Sequence, residues 1–171
     1  MSDKGHEMSN HSWSHPNMTT LSEDELKEQI RKNDEAILAN LGKPSTTFCF
    51  PYNAYNDAVL AEVMKGRIGA RLKEFWLGGQ HSPKEYLQKQ IEDALAAGSW
   101  IVGMTHGINY GYDCYEDASE FTDFLDYLKS LEDRIWIGTF RDVAAYTAVA
   151  KGISLDISKG GKEITVVPAT N

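Results

Sequence analysis

Cysteine is scarce in this chain of 171 residues, which contains only Cys49 and Cys114. Two isolated cysteines do not make a disulfide framework or a zinc cluster, so we expect both to be free thiols in the interior. The sequence also has no apolar run near the roughly 20 residues that cross a bilayer. Polar and charged residues occupy the start of the chain, where a signal peptide is apolar. The sequence therefore predicts a soluble chain with neither a signal peptide nor a membrane span.

Positive charge is the second deficit, with 17 Lys and Arg against 25 Asp and Glu and a formal net charge of -8. Nucleic acids and anionic lipids are bound through clustered Lys and Arg, so neither is expected as a partner. The negative charge does not exclude neutral sugars as ligands. The hydrophobic content of 42% is that of an ordinary globular protein, and the length suits one domain with a substantial core.

Helical and strand patterns alternate along the chain. The helix signals include a capping box at Ser22 and Glu25 and a second start at Ser82, where an N-cap precedes a proline at the first helical position. The predicted helices are residues 22–42, 56–64, 82–98, 119–131 and 142–150. Apolar runs predict strands at residues 46–50, 68–72, 100–105 and 134–140.

This alternation predicts an α/β fold. Nearly continuous apolar strands joined by helices indicate a mainly parallel sheet, either open or curled into a barrel. Residues 153–157 and 163–167 alternate around Lys159-Gly160-Gly161, which predicts a C-terminal β-hairpin. We therefore expect one α/β domain over residues 1–150 and a hairpin extension over residues 151–171.

His11 and His15 stand four residues apart in a polar loop. One turn brings two such imidazoles toward one point, where a divalent metal fits, although a catalytic site needs about three protein ligands. By spacing alone, two readings stay open: part of a metal site, or two loop histidines with structural hydrogen bonds.

The flanking residues carry more information. Residues 5–16 read Gly-His-Glu-x-x-Asn-His-Ser-x-x-His-Pro and precede an amphipathic helix. This stretch resembles the histidine motif of the polysaccharide deacetylases, carbohydrate esterase family four. The resemblance continues through residues 48–52, 104–107 and 136–140 in family order and covers residues 5 to about 150. It implies a distorted parallel strand-helix barrel.

The resemblance implies a role for each matching residue. His11 and His15 would be ligands of a divalent metal, zinc first, with cobalt or nickel as substitutes. The backbone N–H of Tyr52 would face the oxyanion that develops on the acetyl group, unless Tyr52 is only an aromatic residue at the rim.

His106 would be the general acid that protonates the leaving sugar atom; its structural alternative is a hydrogen bond to a neighbouring loop. Trp13 lies between the two candidate ligands, where it would stack on a sugar ring or fill a loop core. Pro51 would belong to the substrate-binding surface with Trp13.

The chain also departs from the family pattern. It has no Thr-Phe-Asp-Asp-Gly segment, which in the family supplies the general base and the third metal ligand. Cys49 stands where the third motif has an arginine. We therefore expect an N-terminally truncated deacetylase. Three outcomes are open for such a chain. It would be inert or weakened, or its active site would be completed by a carboxylate of the same chain, such as that of Asp113 or Glu116, or by a second subunit. An edge left by a missing strand predicts a homodimer.

The predicted function is a metal-dependent hydrolase that removes acetyl groups from a polysaccharide. Acetylated xylan is preferred over N-acetylglucosamine polymers as the substrate, and full-length relatives are expected to be secreted. The alternative is a non-catalytic remnant that binds carbohydrate or only a metal.

Overall fold

The structure, a computed structural model, describes residues 2–78, 82–157 and 164–168. The α-helices of this part of the chain are α1 Glu23–Leu41, α2 Asp57–Val63, α3 Lys84–Ala97, α4 Ala118–Lys129 and α5 Phe140–Lys151. Its strands are β1 Thr47–Cys49, β2 Gly69–Arg71, β3 Phe75–Trp76, β4 Gly103–Met104, β5 Ile153–Ile157 and β6 Ile164–Pro168. Across the described ranges, no helix combines the length and apolarity needed to cross a bilayer.

The chain divides into two compact units. The first unit contains Met1–Arg71 and Gly138–Asn171, and the second contains Leu72–Ile137. Parallel pairing of β1 with β2 in the first unit, and of β3 with β4 in the second, confirms the predicted α/β fold with parallel strands and intervening helices. The division into a domain over residues 1–150 and an extension over residues 151–171 stays a prediction.

The first unit is organised around β1. Thr47 to Cys49 pair with Gly69 to Arg71, and Asn10 forms an isolated parallel bridge with Phe48 on the other side. Phe48 is almost fully buried, as expected for the centre of a strand covered by helices. The core around it consists of buried apolar side chains from the loop after the histidines and from α1, β1 and α2: Met18, Leu26, Ile30, Phe48, Phe50, Val59 and Val63.

Helix α1 begins and ends where its sequence predicts. The Ser22 side chain accepts from the Glu25 N–H, and the Glu25 carboxylate accepts from the Ser22 N–H at 2.9 Å, which completes the capping box. Gly42 ends the helix in the left-handed region at φ 65°. Leu26 and Ile30 are buried one turn apart, so the amphipathic pattern faces the core of the first unit.

Gly69 allows α5 to pack closely on β2. A Cβ atom at this position would lie 3.1 Å from the Ala144 Cβ and 3.2 Å from the Phe140 ring. A Cβ atom there would require Ala144 or Phe140 of α5 to give way by a few tenths of an ångström. The helix itself starts with Thr139 as its N-cap, whose side chain accepts from the Asp142 N–H.

The second unit has its own core, made of buried side chains from β3, α3, α4 and the loop before α4: Phe75, Leu87, Ile91, Tyr115 and Phe124. Here the predicted start of α3 is wrong in detail. Pro83 is the N-cap without a side-chain hydrogen bond, and the Ser82 hydroxyl donates instead to the Trp76 carbonyl at 2.9 Å. Because its hydroxyl is bonded to this carbonyl six residues earlier, Ser82 does not serve as the predicted N-cap of α3.

The strand predicted for residues 134–140 is also wrong. These residues are irregular, and Phe140 already belongs to α5. Trp136 and Ile137 are 57% and 58% exposed, so the apolar run is not covered as a buried parallel strand would be. An apolar run becomes a strand only where a neighbouring strand accepts its hydrogen bonds, which a single sequence does not reveal.

The C-terminal hairpin is confirmed as an antiparallel pair, with Ile153 opposite Pro168 and Ile157 opposite Ile164. The predicted turn at Lys159-Gly160-Gly161 lies outside the described residues. The pair follows α5 directly and belongs to the first unit.

An ion pair between a buried arginine and a partly exposed aspartate joins α1 to the segment after α2. The Arg67 Nη2 donates to both carboxylate oxygens of Asp34, at 2.7 and 2.5 Å, and its side chain is only 5% exposed. Arg67 Nη1 donates to the Val63 carbonyl at 2.9 Å, and the guanidinium lies 5.5 Å from the centre of the Phe48 ring. The charge of Arg67 is thus held inside the first unit by one carboxylate.

We expect Asp34→Ala to lower the free energy of unfolding by about 3 kcal/mol or more, because it leaves the buried guanidinium of Arg67 without its counter-charge. Chemical denaturation monitored by circular dichroism measures this change. The matched control is Asp93→Ala, which removes an exposed pair with Lys89 and should cost less than about 0.5 kcal/mol. Equal stabilities of the two variants would contradict the structural role of the Asp34 carboxylate.

Candidate metal centre and active site

The loop that carries the two histidines is anchored by Asn10, whose side chain is fully buried. Its Nδ2 donates to the Ile30 carbonyl at 2.9 Å and to the Asp34 carboxylate at 2.7 Å, and its Oδ1 accepts from the Ser12 N–H at 2.9 Å. Every hydrogen-bonding group of this amide therefore has a partner except one lone pair. These hydrogen bonds fix the loop to α1 at the residue immediately before His11.

Backbone contacts extend the anchoring to β1. The Asn10 N–H donates to the Thr47 carbonyl and the Ser45 hydroxyl, while the Cys49 N–H donates to the Asn10 carbonyl at 2.9 Å. On the far side of the loop, the Gln29 side-chain oxygen accepts from the N–H groups of Trp13 and Ser14 at 3.1 and 2.9 Å. The histidine loop is thus held by hydrogen bonds between a strand and a helix.

The rings of His11 and His15 lie 4.8 Å apart, edge to face. The His11 Nδ1 is 2.8 Å from the Cys49 carbonyl oxygen. A carbonyl only accepts, so Nδ1 carries the proton and donates, and the lone pair of Nε2 is left for another partner. Hydrogen bonding of one ring nitrogen to a backbone carbonyl is the arrangement typical of histidines that bind a metal through the other nitrogen.

Tyr52 stands beside His15, with ring centres 4.6 Å apart. It follows Pro51 in a 3-10 turn, has φ 57°, and its side chain is 70% exposed. Pro51 itself is buried, and Trp13 is 54% exposed. The structure therefore brings His11, His15 and Tyr52 together, while the predicted substrate contacts of Trp13 and Pro51 stay predictions.

The positions of His11 and His15 can be compared with the requirements of a zinc site. Two imidazoles at this separation can reach one ion at the usual Zn–N length of about 2.0–2.1 Å, with the His11 Nε2 already in the right tautomer. Among the described residues, no group of three or more His, Cys, Asp and Glu side chains is placed to hold a metal ion. The donor set therefore fits two positions of a zinc site and leaves the third ligand to be supplied.

Cys49 connects the metal loop to β2. Its carbonyl accepts from His11, and its sulfur lies 2.6 Å from Nη2 and 3.1 Å from Nε of Arg71. The structure thus places a guanidinium against the side chain of Cys49, the position at which the resemblance predicts an arginine. Arg71 is brought there by the register of β1 and β2, in which it is the partner of Cys49.

His106 belongs to the second unit and is surrounded by aromatic rings. It lies two residues after the end of β4, and its ring centre is 5.8 Å from that of Trp76 and 5.2 Å from that of Tyr112. Tyr112 is 76% exposed and His106 itself is exposed, so this cluster faces solvent. Asp113 and Glu116, the candidate third ligands, lie in the same unit after His106.

The loop after His106 is closed by backbone hydrogen bonds. The Tyr115 N–H donates to the Gly107 carbonyl at 3.2 Å, and the Asn109 N–H donates to the Tyr115 carbonyl at 2.7 Å. Gly78 packs against this closure with φ 98°, and a Cβ there would lie 2.8 Å from the Tyr115 nitrogen. Only glycine fits at that position without moving the loop.

Backbone strain is concentrated in the candidate site segments. Non-glycine residues with positive φ in the described part of the chain fall in the histidine loop, the turn after Pro51 and the loop after His106: Ser12, His15, Tyr52, Asn53, Asn109 and Asp113. Such backbone costs about 1 kcal/mol or more per residue and is often found at functional sites. The distribution supports the three segments as functional.

Sequence reasoning missed Trp76 and Tyr112 as neighbours of His106. Neither residue has a spacing that points to the histidine, since Trp76 comes from β3 and Tyr112 from a loop. The only signal was the abundance of tyrosine after His106, at positions 110, 112 and 115. Sugar-binding sites commonly use exposed aromatic faces of this kind, since a ring has an apolar face and a polar edge.

We expect Asn10→Ala to lower the free energy of unfolding by about 3 kcal/mol, because it leaves the buried Ser12 N–H without its acceptor and removes the hydrogen bonds of the amide to α1. Thermal and denaturant unfolding measure this loss. The control is Asn40→Ala, whose exposed amide donates to the Ala36 carbonyl of its own helix and whose removal should cost little. A variant of Asn10 as stable as that of Asn40 would show that the amide does not hold the loop.

Comparison with known proteins agrees with the motif. Residues 1–67 match the polysaccharide deacetylase family model. The peptidoglycan-N-acetylglucosamine deacetylase PgdA of Listeria monocytogenes is 38% identical over 61 residues, which are 36% of this chain and 13% of the relative. Chitin deacetylase 1 of Cryptococcus neoformans is 39% identical over 57 residues, 33% of this chain and 12% of the relative. The chain thus matches about an eighth of the length of these curated proteins.

The fold has a counterpart among solved structures. A CE4 family pseudoenzyme from Bacillus anthracis superposes with a TM-score of 0.63 at 22% identity, over 84% of this chain and 48% of the other. At that identity the likeness concerns the fold alone. The chain is thus similar in sequence to the polysaccharide deacetylases over residues 1–67, and similar in fold to this pseudoenzyme.

Proposed function

We propose that this chain carries the metal-binding part of a hydrolase that removes acetyl groups from a polysaccharide. The observation that carries the proposal is the histidine pair. His11 and His15 face each other at 4.8 Å, and the bond from the His11 Nδ1 to the Cys49 carbonyl leaves its Nε2 ready to bind a metal. The pair lies inside the segment that matches the deacetylase family.

In this proposal each candidate residue has its own role in the reaction. A bound zinc ion supplies Lewis acidity toward the acetyl carbonyl and toward water. His11 and His15 hold the ion in place. The Tyr52 N–H, turned by the left-handed backbone at φ 57°, stabilises the negative charge that develops on the acetyl oxygen.

His106 acts as the general acid and delivers a proton to the leaving nitrogen or oxygen of the sugar. Its exposed position suits this role because a substrate reaches it from solvent. Trp76 and Tyr112, within 5.8 and 5.2 Å of its ring, offer apolar faces on which a sugar ring stacks.

We favour N-acetylglucosamine polymers as the substrate class. The names of PgdA and chitin deacetylase 1 state this sugar or its polymer for those proteins, and each is more than 35% identical over its matched segment. The formal charge of -8 disfavours polyanions and leaves neutral glycans unaffected. The preference for acetylated xylan stays a prediction from the sequence, and it is the second arm of the activity test.

A specific observation also favours the non-catalytic alternative. In the described ranges only two of the expected metal ligands are brought together. A full site needs a third ligand from Asp113 or Glu116, from a second copy of the chain, or from residues outside this sequence. Without it, the chain binds carbohydrate or metal without turnover.

Zinc binding tests the ligand assignment separately from catalysis. We expect zinc to bind by isothermal titration calorimetry, and His11→Ala and His15→Ala each to weaken binding about 10-fold or more, since each removes one of two ligands. His6→Ala is the matched control, because His6 lies in the same motif outside the pair and should bind zinc as the unaltered chain does. Equal zinc affinity in all three variants would reject the proposed ligands.

Acetate release tests the hydrolase. We expect acetate from chitin oligomers, and less from acetylated xylan, in the presence of zinc or cobalt. His106→Asn should lower the rate by a factor of about 10² to 10⁴, the usual contribution of a general acid. Turnover that survives both His106→Asn and His11→Ala would rule out this site. Glycan binding without acetate release in the unaltered chain would establish the non-catalytic alternative.

A further inference from the structure

Helix α1 presents two amide side chains, Gln29 and Asn33, to the histidine loop. The two residues lie one turn apart on the same face of the helix, and both are half-buried. Neither belongs to the motif that carries the resemblance, and neither is a candidate metal ligand. Their hydrogen bonds reach the three residues that separate His11 from His15.

The Gln29 amide binds the middle of this segment. Its oxygen accepts from the N–H groups of Trp13 and Ser14 at 3.1 and 2.9 Å, and its Nε2 donates to the Ser14 hydroxyl at 3.0 Å. Two consecutive N–H groups of the loop therefore converge on one oxygen. Because an amide oxygen has two lone pairs, it can accept both hydrogen bonds, and its removal deletes both acceptors at once.

The Asn33 amide binds the start of the same segment, where its Nδ2 donates to the Ser12 carbonyl. Ser12 is 4% exposed, and its hydroxyl accepts from the His15 N–H at 3.0 Å. The hydrogen bonds thus continue from α1 through Ser12 to the backbone of the second candidate ligand. Each residue from Ser12 to His15 has a backbone group bonded either to α1 or to the Ser12 side chain.

The backbone of this segment needs such support. Ser12 and His15 have φ 66° and 58°, in the left-handed region that residues other than glycine rarely adopt. Holding one residue there costs about as much free energy as one or two hydrogen bonds contribute. The bonds from Gln29 and Asn33 are therefore of the size needed to offset the strain at the two ends of the segment.

We propose that Gln29 and Asn33 are positioning residues of the candidate metal site, which hold the His11 and His15 rings at the separation that one zinc ion requires. Their role differs from that of Asn10, whose amide is fully buried. Water can replace the half-buried amides when they are removed, so their loss should affect metal binding more than folding. The part played by zinc rests on the proposed function, whereas the hydrogen bonds from α1 do not.

Gln29→Met tests the proposal, because methionine is similar in length and favours a helix but has no acceptor for the two N–H groups. We expect zinc to bind about 10-fold more weakly by calorimetry, the loss of about one hydrogen bond. Gln29→Glu should restore the affinity at least to that of the unaltered chain, since a carboxylate accepts from the same N–H groups. Gln90→Met makes the same exchange in α3, within the second unit, and should leave zinc affinity unchanged.

The contribution of Asn33 is tested in the same assay. Asn33→Ala removes the donor to the Ser12 carbonyl and should also weaken zinc binding, whereas Asn40→Ala, an exposed amide of the same helix, should not. Equal zinc affinity in these two variants would remove Asn33 from the proposal.

Amide hydrogen exchange followed by NMR gives a readout that needs no metal. In Gln29→Met the N–H groups of Trp13 and Ser14 should exchange faster, and in Gln29→Glu they should stay protected. The melting temperature of both variants should change by no more than about 4 °C, so that a general loss of stability does not explain the result.

The outcomes separate this proposal from the metal site itself. Zinc affinity unchanged in Gln29→Met, or unchanged protection of the Trp13 and Ser14 N–H groups, would overturn the positioning role and leave the zinc ligands standing. Weaker binding that Gln29→Glu does not restore would overturn it as well. An unaltered chain that binds no zinc would reject the proposed function, and the role of Gln29 in metal binding with it.

Discussion

The buried amide of Asn10 is the interaction on which the first unit depends. It joins the histidine loop to α1 through the Ile30 carbonyl and the Asp34 carboxylate, and its backbone pairs with β1. Asp34 in turn neutralises the buried Arg67. One side chain therefore couples the position of the candidate ligands to the main ion pair of the unit. Substitutions in this network should change both the free energy of unfolding and the geometry of the candidate metal site, because both depend on the same side chains.

Anchoring of this kind makes the histidine pair preorganised. His11 is oriented by the Cys49 carbonyl, and the His15 N–H donates to the Ser12 hydroxyl at 3.0 Å. Because the His11 ring and the His15 backbone are held by protein groups, a metal would bind without first ordering the loop, and less binding energy would be lost to entropy. The same hydrogen bonds hold the left-handed backbone of Ser12 and His15.

The parts of the fold that sequence alone predicted are those determined locally. The capping box at Ser22 involves neighbours within one turn, and the helix formed as predicted. Ser82 has the same local signal, but a carbonyl from β3 competes for its hydroxyl, so the cap fails. The ring contacts of His106 with Trp76 and Tyr112 depend on segments far apart in the chain. A pattern in a short stretch of sequence carries no information about contacts between segments that are far apart in the chain.

The strain in the candidate segments bears on whether the chain still acts. Ser12, His15, Tyr52 and Asn53 all have positive φ, each at a cost of about 1 kcal/mol or more. A remnant kept only for its fold gains nothing from this backbone, since ordinary turns with glycine would join the same strands and helices. The strained geometry aims two imidazoles and one tyrosine at a common space. The strained backbone therefore belongs to the same segments that hold the proposed metal ligands and Tyr52 close together.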